Sequence, residues 1–156
     1  MPLLFARHAT TIARELDLKL IKTGKIRYAF VNNPLPIHRL ARFLAIAAIC
    51  AGNQNRYWQM HDHLFEATPK AESEVLSIAE RIGLDSTKFR NCLQQSQEPA
   101  RQIEEEVKQA QKLKLNGTPA FAVGLVNAGG RVLIKKLIIG VQPFEVFEST
   151  IASLGQ

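Results

Sequence analysis

Cysteine is scarce in this chain: Cys50 and Cys92 are the two present in 156 residues, and no Cys-x-x-Cys pair occurs anywhere in it. That excludes a vicinal dithiol as the reactive group of the sequence as it stands. Long apolar runs are also lacking. The run through Leu44–Ala51 is far short of the roughly 20 residues a bilayer-spanning helix needs, so a soluble protein is expected. The first residues, Met1-Pro2-Leu3-Leu4-Phe5-Ala6, have no basic start and run at once into Arg7 and His8, which argues against a secretory signal. No internal repeat appears, and nine glycines and seven prolines exclude collagen-like and low-complexity classes.

What is present fits one compact domain, with 46% hydrophobic and 22% charged residues. Twenty Lys and Arg against fourteen Asp and Glu give a net charge of +6, which raises the question of phosphate binding. The basic residues are scattered, however, through Arg39, Arg56, Arg81, Arg101, Lys112, Lys114 and Lys135. Glu104-Glu105-Glu106 interrupts them, and no aromatic platform is interleaved. A solvated basic surface is the reading, with neither nucleic acid nor membrane as partner.

Phe5, Ala9, Ile12, Leu16 and Leu20 fall three or four apart, predicting an amphipathic helix that runs to Thr23 and closes at Gly24. Lys25–Val31 is rich in β-formers and predicts a strand, ended by Asn32-Asn33-Pro34-Leu35-Pro36. Helices are predicted over Arg39–Ala51, Arg56–Phe65, Glu72–Ile82, Ser86–Gln95 with Ser86 as N-cap, and Glu98–Leu115. After Gly117-Thr118-Pro119 the period changes to two: a hairpin of Ala120–Val126 and Arg131–Ile139 turns at Asn127-Ala128-Gly129-Gly130. A last helix follows Pro143 with Phe144, Phe147, Ile151 and Leu154 inward. Tyr57, Trp58, Met60 and Phe65 read as an aromatic packing cluster. His61 and His63, two apart on a helix, point about 200° apart and cannot share a metal ion; with His38 and His8 they read as surface or capping residues.

That element order, with several residue strings in sequence, resembles the DsbA-like thiol:disulfide oxidoreductases. Lys22–Phe30 followed by Pro34-Leu35-Pro36-Ile37-His38 is similar to the family's second strand and its exit. Cys50-Ala51-Gly52 with Tyr57-Trp58-Gln59-Met60-His61-Asp62, Gly117-Thr118-Pro119-Ala120-Phe121, and Gly140-Val141-Gln142-Pro143-Phe144 also match. The resemblance implies an α/β fold: a thioredoxin-like part over residues 1–36 and 116–156, with an inserted all-helical subdomain over residues 37–115. It implies disulfide exchange on protein or peptide thiols, no cofactor, no metal, and an extracytoplasmic setting, although the compartment of this chain is left open. Thr118 and Pro119 become the substrate-facing loop with a cis peptide bond, where the residues alone read as a plain turn.

The departure from the family lies at its reactive motif, which would fall on Met1–Phe5 and finds no sulfur nucleophile there. No catalytic residue is therefore assigned, and whether the chain is an enzyme stays open. The strand that precedes that motif is also missing, so a truncated relative is expected, whether by start-site placement, degeneration or processing. Cys50 and Cys92 are two buried thiols on residue type alone; the resemblance implies a structural disulfide between them. A sheet without an interior strand leaves Lys25–Val31 and Ala120–Val126 with unpaired edges. A homodimer is expected from those edges and from the first helix. The alternative to an oxidoreductase homologue is a non-catalytic module that binds peptide, protein or itself.

Overall fold

The computed structural model describes residues 11–155. Phe5, Ala9, His8 and the Met1–Phe5 stretch thus lie outside the described residues. The chain divides into two compact units, one holding the chain up to Ala29 together with Leu115 onward, the other Phe30–Lys114.

In the first unit, helix α1 occupies residues 11–16 and ends in a π-wound turn, Asp17–Ile21, where the Lys22 amide donates to the Asp17 carbonyl at 2.9 Å. The sequence predicts a regular helix here. A strict apolar spacing of four overshoots a 3.6-residue turn, and the wider last turn absorbs the overshoot, so Ile12, Leu16 and Leu20 are all buried. The Thr23 hydroxyl then donates to the Leu20 carbonyl at 3.0 Å, and Gly24, at φ +74°, ends the helix in a conformation that other residues resist.

Strands β1 (Ala120–Val126) and β2 (Val132–Ile139) pair antiparallel, with Ala120 opposite Ile139 and Val126 opposite Val132. The register slips once: Val123 faces Lys136 and Gly124 faces Ile134, leaving Lys135 as the extra residue of a bulge. At Gly124 an added Cβ would press on the Leu133 carbonyl, so only glycine fits. The turn forms as predicted, with the Asn127 side-chain oxygen accepting from the Gly129 and Arg131 amides at 3.0 and 2.9 Å. Helix α7 (Phe144–Ala152) lays Phe144 and Phe147 into the core shared with α1 and Ile138, and Phe147 meets Phe121 edge-on at 4.8 Å.

The predicted strand over Lys25–Val31 does not form. Its residues show strand-like alternation, with Ile26, Tyr28 and Phe30 half-buried between exposed Lys25, Arg27 and Ala29, but among the described residues the sheet is β1 and β2 alone. A strand is defined by a partner, and this segment has the side-chain pattern without a ladder. Ile26 and Phe121 pack partly into the unit's core.

The second unit is all-helical: α2 (Ala41–Gly52), α3 (Tyr57–Ala67), α4 (Glu72–Arg81), α5 (Ser86–Gln94) and α6 (Gln97–Lys112). Helix α2 is apolar on most sides because the others surround it; Ala47, Ala48, Cys50 and Ala51 are buried against Met60, Ile78 and Phe89. Ile103 of α6 is fully buried against Ala45 and Ile49. The N-cap of α5 is Asp85 rather than the predicted Ser86: the Asp85 carboxylate accepts from the Lys88 amide at 2.9 Å, which a residue one position later could not do in the same register. No helix among the described residues is long and apolar enough to cross a membrane.

Candidate functional site

The Gly117-Thr118-Pro119 loop leads directly into β1, with Thr118 exposed and Pro119 half-buried. The Thr118–Pro119 peptide bond is cis. The Pro119 carbonyl accepts from the Gly140 amide at 2.9 Å, so the sheet's own hydrogen-bonding ladder holds the loop beside the far end of β2. The loop can present backbone groups and the proline ring to an extended chain, while neither Thr118 nor Pro119 is a redox group. Chemistry at sulfur has to come from elsewhere.

The two cysteine sulfurs of the chain are committed to each other. Cys50 and Cys92 form a disulfide of 2.01 Å with Cα atoms 5.8 Å apart, joining the last turn of α2 to the last turn of α5. Cys50 is buried and Cys92 half-buried, with the Asn53 side-chain amide donating to the Cys92 sulfur at 3.6 Å. The bridge lies wholly within the helical unit.

His61 overturns the surface reading. It is 8% exposed and sits at the hub of an aromatic cluster, with ring centroids 4.5 Å from Phe30, 4.7 Å from Phe65, 5.3 Å from Trp58 and 6.1 Å from Tyr57. Nδ1 lies 2.9 Å from the Asp62 carboxylate, and Nε2 is buried with no hydrogen-bond partner. Burial pushes the imidazole below its ordinary pKa, and the hydrogen bond and charge of Asp62 oppose that shift only in part. Tyr57, His61 and Phe65 stand four apart beside buried Met60 and Leu64, a spacing that identifies the inward face of α3. His63 is half-exposed with Glu66 at 3.8 Å, and His38 is exposed. Among the described residues no group of three or more His, Cys, Asp or Glu is placed to hold a metal ion.

Glu106 is the contact that the sequence concealed. One of its carboxylate oxygens accepts from both the backbone and side-chain amides of buried Asn32, at 2.6 and 2.7 Å, while the other accepts from Gln102 at 2.8 Å. This pins the Asn32–Pro36 passage onto α6 across 74 sequence positions. No local pattern announces such a pair.

Comparison with known proteins places this geometry. The family described as Thioredoxin matches residues 6–136. The Na(+)/H(+) antiporter NhaA 1 of Salinispora arenicola is 38% identical over 124 residues, which is 76% of this chain and 18% of that protein; the NhaA 3 antiporter of Salinispora tropica is 33% identical over the same shares. The chain thus spans under a fifth of the length of these curated relatives. The crystal structure of the thiol-disulfide exchange protein alpha-DsbA2 from Wolbachia pipientis shares the fold, with a TM-score of 0.71, 17% identity, and coverage of 97% of this chain and 73% of that one. With a family match over most of its length, the chain belongs to the thioredoxin family, and its fold is shared with that thiol-disulfide exchange protein.

Proposed function

We propose that this chain is a DsbA-like thioredoxin-family module that holds extended protein or peptide segments at the Thr118–Pro119 loop without itself exchanging disulfides. One observation carries the reading: a thioredoxin-family fold in which both cysteine sulfurs are spent on the Cys50–Cys92 bridge, inside the helical unit and away from any helix N-terminus. A reactive thiolate is favoured at the positive end of a helix, whereas Cys50 lies in the last turn of α2, where the dipole disfavours the anion. Sodium–proton antiport is the named activity of relatives of which the matched stretch is 18%, and nothing of that transport is assigned to this chain.

A self-associating form is the second reading. It is favoured by the exposed apolar side chains of the hairpin, Leu133, Leu137 and Ile139 among them. The first helix offers less support for it, because Ile12, Leu16 and Leu20 find their partners within their own unit.

The purified chain should reduce insulin, and oxidise a reduced test protein, at the uncatalysed rate. Turnover that disappears in Cys50→Ala or Cys92→Ala would overturn the non-exchanging reading. Sedimentation equilibrium over micromolar concentrations decides the second reading: a single species near 17.4 kDa throughout removes it.

A further inference from the structure

Seven asparagines occur in the chain, and one of them, Asn116, is followed by glycine. That step carries a reactivity of its own: the amide nitrogen of the next residue attacks the side-chain carbonyl carbon, and glycine leaves the approach free of a side chain. The other six are held back. Asn32 is buried and gives its side-chain amide to Glu106 at 2.7 Å, and Asn53 gives its own to the Cys92 sulfur at 3.6 Å. The Asn127 oxygen accepts from two amides of its turn. Asn33 precedes Pro34, which has no N–H to lose. Asn91 lies inside α5, where the helix fixes the next amide, and the Arg56 amide after Asn55 donates to the Ala51 carbonyl at 2.9 Å.

Asn116 and Gly117 are the reverse case. Both are exposed, both lie outside helix and strand, and among the described residues neither takes part in a hydrogen bond. A Cβ added at Gly117 would meet nothing within 4 Å, so no packed neighbour restrains the backbone there. An exposed loop without such ties is free to bring the Gly117 nitrogen onto the Asn116 side chain.

We propose that Asn116–Gly117 is a self-modification site at the start of the Thr118–Pro119 loop, where the chain converts an amide to a carboxylate without an enzyme. The Gly117 nitrogen forms a bond to Cγ of Asn116 and gives up its proton, the Cγ–Nδ2 bond breaks, and ammonia leaves a cyclic succinimide. Water then opens either imide carbonyl. One product is aspartate in the ordinary backbone; the other is isoaspartate, whose main chain runs through the side-chain carbon and is longer by a methylene. One water is consumed and one ammonia released, with no oxidant or reductant. Either product lowers the net charge of +6 by one and places the first carboxylate in the stretch from Leu115 to Phe144, which holds the loop and the hairpin. The modification goes beyond the peptide-holding reading and does not need it; on that reading, a held segment meets a new negative charge beside Thr118.

The test ages the folded chain at mildly alkaline pH, separates the products by cation exchange and cleaves them after lysine and arginine. One fragment, Leu115–Arg131, carries both Asn116 and Asn127 and so contains its own control. Fragmentation should place the mass gain of an NH2-to-OH exchange on Asn116, as isoaspartate and aspartate together, with conversion at Asn127 at least about tenfold slower. A synthetic peptide of the same residues gives the unrestrained rate, and the folded chain should stay within about tenfold of it. Gly117→Val, at a position with room for a side chain, should slow the conversion by about tenfold or more. Asn116→Gln should abolish the new acidic species. The proposal is overturned if the folded chain converts more than about tenfold slower than the peptide, or if another asparagine converts first. It is overturned as well if aspartate is the sole product, which marks direct hydrolysis of the side chain, or if Gly117→Val converts as fast as the wild type. The comparison of wild type with peptide decides the matter whether or not that variant folds. All of these are readings of mass and charge, so a failure of the peptide-holding reading leaves them standing.

Discussion

Reducing the Cys50–Cys92 bridge perturbs the helical unit in a way that its position makes calculable. The bridge closes a loop of 42 residues, so the chain-entropy relation gives about 4 kcal/mol of stabilisation, acting by restricting the unfolded chain. Residual structure in the reduced unfolded state lowers this figure. Against a total of about 5 to 15 kcal/mol for an ordinary domain, the loss is large without forcing the reduced unit to unfold at rest. With a urea dependence of about 2 kcal/mol/M, the midpoint should fall by up to about 2 M. Trp58 is the single tryptophan and lies on α3, inside the same unit as the bridge, so its fluorescence reports this transition directly. Urea curves with and without reductant, paired with alkylation counts, make the assay. Two labels should appear after denaturation with reductant and none without it. A midpoint unmoved by complete reduction, or two labels gained without reductant, refutes the reasoning.

Three further outcomes are expected. His61 has a pKa lowered by burial, so the unfolded chain binds the proton more readily than the folded one. Stability should therefore hold above pH about 6.5, the unperturbed value, and fall as pH drops below it, by at most about 1.4 kcal/mol per pH unit, levelling off below the folded pKa. His61→Leu should remove that component of the slope in urea curves read by Trp58 fluorescence, and a slope unchanged in this variant would show that another group is responsible. Glu106→Gln leaves one oxygen to receive two Asn32 donors without charge and should cost about 1 to 3 kcal/mol by urea unfolding; a loss under about 0.5 kcal/mol would mean water replaces the contact. Gly124→Ala drives a methyl group into the Leu133 carbonyl and should cost more than about 2 kcal/mol, with loss of the β1–β2 cross-strand signals by NMR; wild-type stability would show that the bulge is not required.

The helices were legible because their causes are local. Apolar spacing and breakers place α2 through α6 within about three residues of where they stand. The hairpin was legible for the same reason, its turn being written in Asn127-Ala128-Gly129-Gly130. At α5 the reading missed Asp85 because Asp and Ser are both good caps and adjacent, and which one caps depends on where the first turn begins. The His61 cluster was within reach through the spacing of Tyr57, His61 and Phe65, but a histidine beside a second histidine reads first as a polar site. The Asn32–Glu106 contact carried no signal, since charge on α6 is what a solvated helix also shows.

The segment Lys25–Val31 shows where such reading ends. Its alternation is fully present, with Ile26 in the core of its unit, yet alternation specifies only which side chains turn inward. Pairing is a property of two segments, and it decides whether backbone donors find acceptors. The same distinction separates fold from chemistry in this chain. Each unit closes on its own apolar cluster, the first through Leu16, Ile138 and Phe147 and the second through Met60, Ile78 and Phe89, and neither cluster draws on a reactive dithiol. Packing of this kind asks for no redox group. The two cysteines are joined to each other, with Cys50 buried in the last turn of α2, and their bridge ties α2 to α5 inside the helical unit.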